Sequence, residues 1–302
     1  MENAMSQQEW MLILQTAVAP LVLGFAIASA IGFAMRHRDP DRPVGDWPGV
    51  VAIGLAALTG QLWFGGLHWP QRLALVEAWQ WIVGFAITAI LLLPVSNAPK
   101  AKAWLGDVIR IALFALATFF VVRALAVMER STAIRWMIMA PIACGAWATA
   151  LSRIGPQVAR RLWPCILAIV LTLSAVTLFL TGSLTHFALL AALAAATGGV
   201  FFSQLTMRAR PALVANAGGS FSLLFFAGLL LVHALYVDDV PFRALGALMI
   251  APFGVLVGLI PGLRTRHPRW AIALQIATTL AIAACALVPV ILNYEPDPYA
   301  GY

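Results

Sequence analysis

Charged side chains are scarce in this chain. Asp, Glu, Lys and Arg together make up 10% of its 302 residues, against 62% hydrophobic. A soluble domain carries about 25% charged residues, so too little polar surface exists to cover a water-soluble fold of this size. No Asp or Glu lies in the middle of any long apolar stretch. Coupled pumps commonly carry carboxylates at membrane depth as proton or ion relays, so a carboxylate-based proton antiporter is disfavoured. Sodium coupling through backbone carbonyls and facilitated transport stay open. The three cysteines, Cys144, Cys165 and Cys285, form no C-x-x-C and no paired spacing, which points to neither a disulfide framework nor a zinc site. They read as small buried apolar residues. The first ten residues contain Glu2 and Glu9 but no Lys or Arg, so no cleavable signal peptide is expected, because a signal opens on a basic region. H-E-x-x-H, G-x-S-x-G, the Walker lysine motif and the dinucleotide fingerprint are all missing. No catalytic residue and no cofactor is therefore expected.

What the chain has is length of apolar sequence. Ten stretches, at about 11–35, 48–67, 78–97, 105–128, 133–152, 162–183, 185–206, 212–237, 242–263 and 270–293, approach or exceed the span of a bilayer. A crossing helix needs about 20 apolar residues, and lipid cannot hydrogen-bond a backbone, so each span must satisfy its own amides. The strands of a barrel would be about half as long and would alternate polar with apolar. The expected fold is all-α: a single polytopic membrane domain over residues 1–302 with about ten transmembrane helices and short loops.

Basic residues crowd into every second gap. The odd gaps hold Arg36, Arg38, Arg42, Lys100, Lys102, Arg153, Arg160, Arg161, Arg208, Arg210, Arg264, Arg266 and Arg269, thirteen of the nineteen. Positive loops face the cytoplasm. Both termini then lie outside it, in agreement with the acidic tail at Glu295 and Asp297. Boundary tryptophans agree: Trp47, Trp104, Trp163 and Trp270 open the even spans two, four, six and ten at the inner face, the depth at which Trp is enriched. The net charge of +7 is thus an orientation signal rather than a nucleic-acid footprint. A bacterial cytoplasmic (inner) membrane is the expected location, with the lipid bilayer as partner and a small-molecule solute or other membrane subunits as further candidates.

Two ladders of small residues at spacing four, Gly24-Ala28-Gly32 and Gly254-Gly258-Gly262, predict close helix contacts inside the bundle. Pro20, Pro94, Pro141, Pro252, Pro261 and Pro289 interrupt or end spans and predict kinks. Met139-Ala140-Pro141 and Ile250-Ala251-Pro252, with Arg153 and Arg264 at the same offset, hint that spans five–six and nine–ten form a parallel repeat, although Ala- and Leu-rich text produces chance matches readily. In size and span count the chain resembles drug/metabolite transporters of the EamA type. That resemblance implies two inverted five-helix repeats and cytoplasmic termini. The charge pattern here puts the termini outside, and the only hint of a repeat is parallel, so the likeness is architectural and carries over no residues.

Polar residues then sort by depth. At the outer face His68, His186 and His233 fall at one level, near Asp238 and Asp239. Imidazoles and carboxylates at one depth are a weak candidate for a divalent metal; the plainer reading is of amphipathic residues at the wet boundary, and no metal is expected. Asp107 and Arg110, one turn apart, pair with each other or with headgroups. Arg123 sits deeper on the same helix; it either snorkels outward or faces the bundle and binds an anionic group. The inner third carries the richest cluster. Span seven ends through Gly198, Gly199, Ser203 and Gln204; span eight begins with Asn216, Gly218, Gly219, Ser220 and Ser222; span ten adds Gln275, Thr278 and Thr279 on one face. Gly-interrupted helices at matching depths mark substrate sites in transporters, whereas the packing alternative has the glycines close helix seams and the amides bond between helices. Three functions follow: a permease for a small solute between spans seven, eight and ten; a non-catalytic membrane subunit or scaffold; and an intramembrane enzyme acting on a lipid-linked substrate. A polar cavity would mark the first, a dry bundle the second, and titratable groups converging at one face the third.

Overall fold

The computed structural model describes residues 7–38, 47–64, 103–122, 130–158, 162–181, 184–206 and 241–292. Every element among them is helical: α1 (Gln7–Ile13), α2 (Ala19–Arg38), α3 (Trp47–Phe64), α4 (Ala103–Val122), α5 (Arg130–Ile154), α6 (Leu162–Leu180), α7 (Leu184–Thr206), α8 (Phe242–Ile250), α9 (Pro261–Arg266) and α10 (Pro268–Leu292). Among the described residues, six stretches are long and apolar enough to cross a membrane: Trp10–Ala34, Arg130–Leu151, Leu162–Leu180, His186–Thr206, Phe242–Leu259 and Pro268–Leu292. They coincide with the expected spans one, five, six, seven, nine and ten. Helices α3 and α4 occupy the positions of spans two and four. Expected spans three and eight lie outside the described residues.

The surface of these helices is apolar. Val22, Phe33, Ile138, Met139, Ile142, Phe202, Leu256, Leu280 and Val288 all face outward, Met139 with 66% of its surface exposed. Water would tolerate isolated residues of this kind but not a belt of them on helix after helix. An integral, multi-pass membrane protein accounts for both the helix lengths and that belt.

Helices α6 and α7 form the centre. Their spans are 56% and 61% buried, against 22% for Trp10–Ala34 and 28% for α10. α7 packs on α6, α2 and α3, and α10 packs on α6 and span nine. α4 and α5 pack on each other, and among the described residues α5 also meets span nine. Their central place explains a departure from the tryptophan expectation. Trp104 and Trp270 are exposed, but Trp163, which opens α6, is 1% exposed and belongs to the protein core rather than to the boundary.

Proline chemistry sets the irregularities. A π-helical turn, Leu14–Val18, joins α1 to α2, with the Ala19 N–H donating to the Leu14 carbonyl. Pro20 follows directly. Its ring crowds the carbonyl of Thr16, four residues back, and the wider π turn gives that carbonyl room. In span nine, α8 gives way at Ala251 to a 3-10 segment, Ala251–Leu259, which ends at Ile260 with ψ 121° before Pro261 opens α9. Runs of 3-10 helix longer than about four residues are uncommon. The tighter coil rises about 2.0 Å per residue against about 1.5 Å for α, so Phe242–Leu259 reaches about 32 Å with eighteen residues, enough for a hydrocarbon core of about 30 Å.

The same comparison weakens the parallel repeat. Pro141 sits inside an α-helix that runs unbroken from Arg130 to Ile154, whereas Pro252 lies at the start of the 3-10 segment. Among the described residues, span nine packs broadly on span ten, while span five packs mainly on span four.

Candidate functional site

Span nine meets span ten along a glycine face. A Cβ at Gly254 would stand 2.6 Å from the Thr279 backbone nitrogen and 2.7 Å from its Oγ1. One turn on, a Cβ at Gly258 would overlap the Gln275 side chain. Only hydrogen fits at either position, so the ladder expected to close a helix contact does so at Gly254 and Gly258; Gly262, in α9, has open space around it. The close approach lets Gln275 Nε2 donate to the Val255 carbonyl at 3.1 Å, in a buried setting. Interhelical bonds of this type contribute about 0.6–2 kcal/mol.

A second contact repairs the damage done by Pro252. Proline has no N–H, so residue 252 donates neither the α bond to Leu248 nor the 3-10 bond to Met249. Trp147 on α5 supplies the missing donor: its Nε1–H reaches the Met249 carbonyl at 2.6 Å. Nothing in the local sequence around Trp147 announces this role. The signal that could have found it is Pro252, which leaves a carbonyl needing a donor.

On α7 the two adjacent glycines have different surroundings. A Cβ at Gly199 would run into the Leu21 carbonyl and lie 2.8 Å from the Phe25 nitrogen, while at Gly198 it meets nothing within 4 Å among the described residues. Gly24 on α2 completes the seam, its Cβ position 2.5 Å from the Ala196 carbonyl oxygen. Toward the C-terminal end of α7 in the same seam, the Ser29 and Ser203 hydroxyls bond at 3.0 Å. Gly199 therefore acts in packing, and Gly198 does not contribute to it.

Gln204 follows on the next face of α7. It is 2% exposed, although the apolar Leu205 beside it is 45% exposed. Neither its Nε2 nor its Oε1 has a hydrogen-bond partner among the described residues. Other buried hydroxyls in the central pair satisfy themselves: Ser174, Thr177 and Thr197 donate to the carbonyls of Val170, Leu173 and Leu193 at 2.7–2.8 Å. Thr279 Oγ1 departs from that pattern, with no partner among the described residues. A buried amide group without its bonds costs about 1–3 kcal/mol.

The sequence-derived candidates thus divide. Gln275 and Thr279 come together, against Gly254 and Gly258 of span nine. Gly198, Gly199 and Gln204 lie on α7, whose described neighbours are α2, α3 and α6. Arg123, Asn216, Gly218, Gly219 and Ser220 lie outside the described residues, as do the side chains of Asp107 and Arg110. Of the three outer histidines only His186 is described, buried on α7; His68 and His233 fall outside. No group of three or more His, Cys, Asp or Glu arranged to hold a metal ion occurs among the described residues.

Comparison of the chain with known proteins finds no matching protein family, no matching curated protein and no matching solved structure.

Proposed function

We propose that the chain is a ten-span protein of a bacterial cytoplasmic membrane, with both termini extracytoplasmic, and that it acts as a permease for a small solute. The alternation of arginine-rich gaps supports the orientation. One observation carries the functional reading: midway through the apolar span Phe242–Leu259 the backbone changes from α to 3-10 at Ala251, and the chain breaks at Ile260, at the end of that span. Irregular backbone at membrane depth is tolerated where protein buries it or where it lines a solute path, and discontinuous helices are the recurrent solute-binding and moving parts of transporters. The break also supplies a stroke. Nine residues passing between 3-10 and α differ in length by about 4–5 Å, which would move α9, with Arg264 and Arg266, along the membrane normal.

The test is flux through the full chain reconstituted in liposomes. Stopped-flow light scattering with small neutral, anionic and cationic solutes should find at least one that enters faster than in protein-free vesicles, and Pro252→Ala should slow it by straightening span nine. Rates equal to those of protein-free vesicles for every solute count against the proposal.

A second reading, a non-catalytic membrane subunit, is favoured by the tightness of the α2–α7 and span nine–ten seams. It predicts stoichiometric protein partners on mild-detergent purification, and no flux.

A further inference from the structure

Gln204 is the most conspicuous unexplained group in the molecule. It stands two residues before the end of α7, where a glutamine side chain could reach water at little cost. Instead it is buried, while Leu205 beside it faces outward. A glutamine amide has two donor hydrogens and an accepting oxygen, and none of these is engaged among the described residues. The helix stripe it extends, one turn after another, is Leu193, Thr197 and Val200, all fully buried. Thr197 cannot serve the amide as a donor, since its hydroxyl is committed to the Leu193 carbonyl at 2.8 Å. Ser203, the preceding residue, faces α2 and is bonded to Ser29, so it gives the amide no partner.

From this geometry we infer that the inner end of α7 binds a small neutral molecule that both donates and accepts hydrogen bonds, an amide or a polyol, with Gln204 as the anchoring contact. The ligand is neutral because every buried polar side chain among the described residues is a hydroxyl, an amide or an imidazole. Among the described residues a charged ligand would find no buried counter-charge. A molecule with a donor and an acceptor side by side completes the amide at both ends, as a second amide does. This inference rests on the permease reading and gives that permease its solute class. By the arginine pattern, this end of α7 is the cytoplasmic end, so the ligand enters from the cytoplasm.

Saturation-transfer NMR on the full chain in deuterated detergent, with acetamide and ethylene glycol as the probes, tests it. At least one probe should give signal from the unmodified protein. The signal should fall about tenfold in Gln204→Met, the loss expected when an amide hydrogen bond to the ligand is removed. Gln204→Asn, which keeps the amide, should retain part of it. Gln204→Met should melt at the same or a higher temperature than the unmodified chain, because it deletes an unsatisfied group. Absence of signal from both probes overturns the inference without recourse to any variant. So does equal signal in Gln204→Met, and so does a lower melting temperature in that variant, which would reveal an internal partner for the amide. Binding of a probe that is not carried across liposomes would uphold the site and remove the permease; flux of a probe that gives no binding signal would do the reverse.

Discussion

Adjacent glycines on α7 should respond to the same substitution with opposite signs. At Gly199 an added Cβ meets backbone, the Leu21 carbonyl and the Phe25 nitrogen at 2.8 Å, so α2 must retreat as a unit. Overpacking of a fitted seam costs about 1–3 kcal/mol. The retreat also stretches the 3.0 Å bond between Ser29 and Ser203, adding about 0.6 kcal/mol. Alanine returns about 0.5–1 kcal/mol through its higher helix propensity. Gly199→Ala should therefore destabilise by about 1–3 kcal/mol. Gly198→Ala meets nothing within 4 Å among the described residues and keeps only the propensity gain, so it should stabilise by up to about 1 kcal/mol. Unfolding each variant with SDS in mixed micelles, followed by circular dichroism, measures both shifts against one reference. Equal effects at the two positions, or a stabilised Gly199→Ala, would refute the assignment of Gly199 to the α2 seam and with it the rotation of α7 about its axis.

Trp147→Phe should cost about 1–2 kcal/mol by leaving the Met249 carbonyl unpaired, and much of that penalty should vanish in a Pro252→Ala background, where residue 252 again has an N–H to donate; a double-mutant cycle reads the coupling, and strict additivity contradicts the repair role. Gly254→Ala should destabilise by about 1–3 kcal/mol because the atoms it meets are the Thr279 backbone. Gly258→Ala should cost less, since Gln275 can swing away, and should lose the Gln275–Val255 bond in doing so; SDS unfolding of the two variants side by side shows the ordering, and a reversed order would count against it.

Helices were legible from the sequence because the membrane dictates them. The expected span 162–183 meets the helix Leu162–Leu180, and 185–206 meets Leu184–Thr206, since an apolar stretch of bilayer length has no other way to satisfy its amides. The small-residue ladders were legible for a similar reason: Gly24, Gly254 and Gly258 sit where a Cβ has no room. Helix rotation was not legible. Gly198 and Gly199 look alike in sequence, and which of them faces a neighbour depends on about 100° of turn between successive residues. Trp163 was expected at the lipid boundary and is buried because α6 is central, a fact of assembly rather than of local hydropathy. The prolines gave positions for irregularity but not its kind. Pro20 follows a π turn, Pro252 lies at the start of a 3-10 run, and Pro141 sits in continuous α-helix, because the outcome depends on which donors and acceptors neighbouring helices offer. Trp147, far away in sequence, is such a donor.

The ordering of every polar residue by depth rests on the arginine-rich gaps facing the cytoplasm. A dual reporter fused after Tyr302, with a second fusion in the loop at Arg160-Arg161, tests that claim directly. The account predicts extracytoplasmic phosphatase activity at the C-terminus and cytoplasmic fluorescence at the loop. A fluorescent, phosphatase-inactive C-terminus would contradict it, reversing the orientation or changing the number of spans.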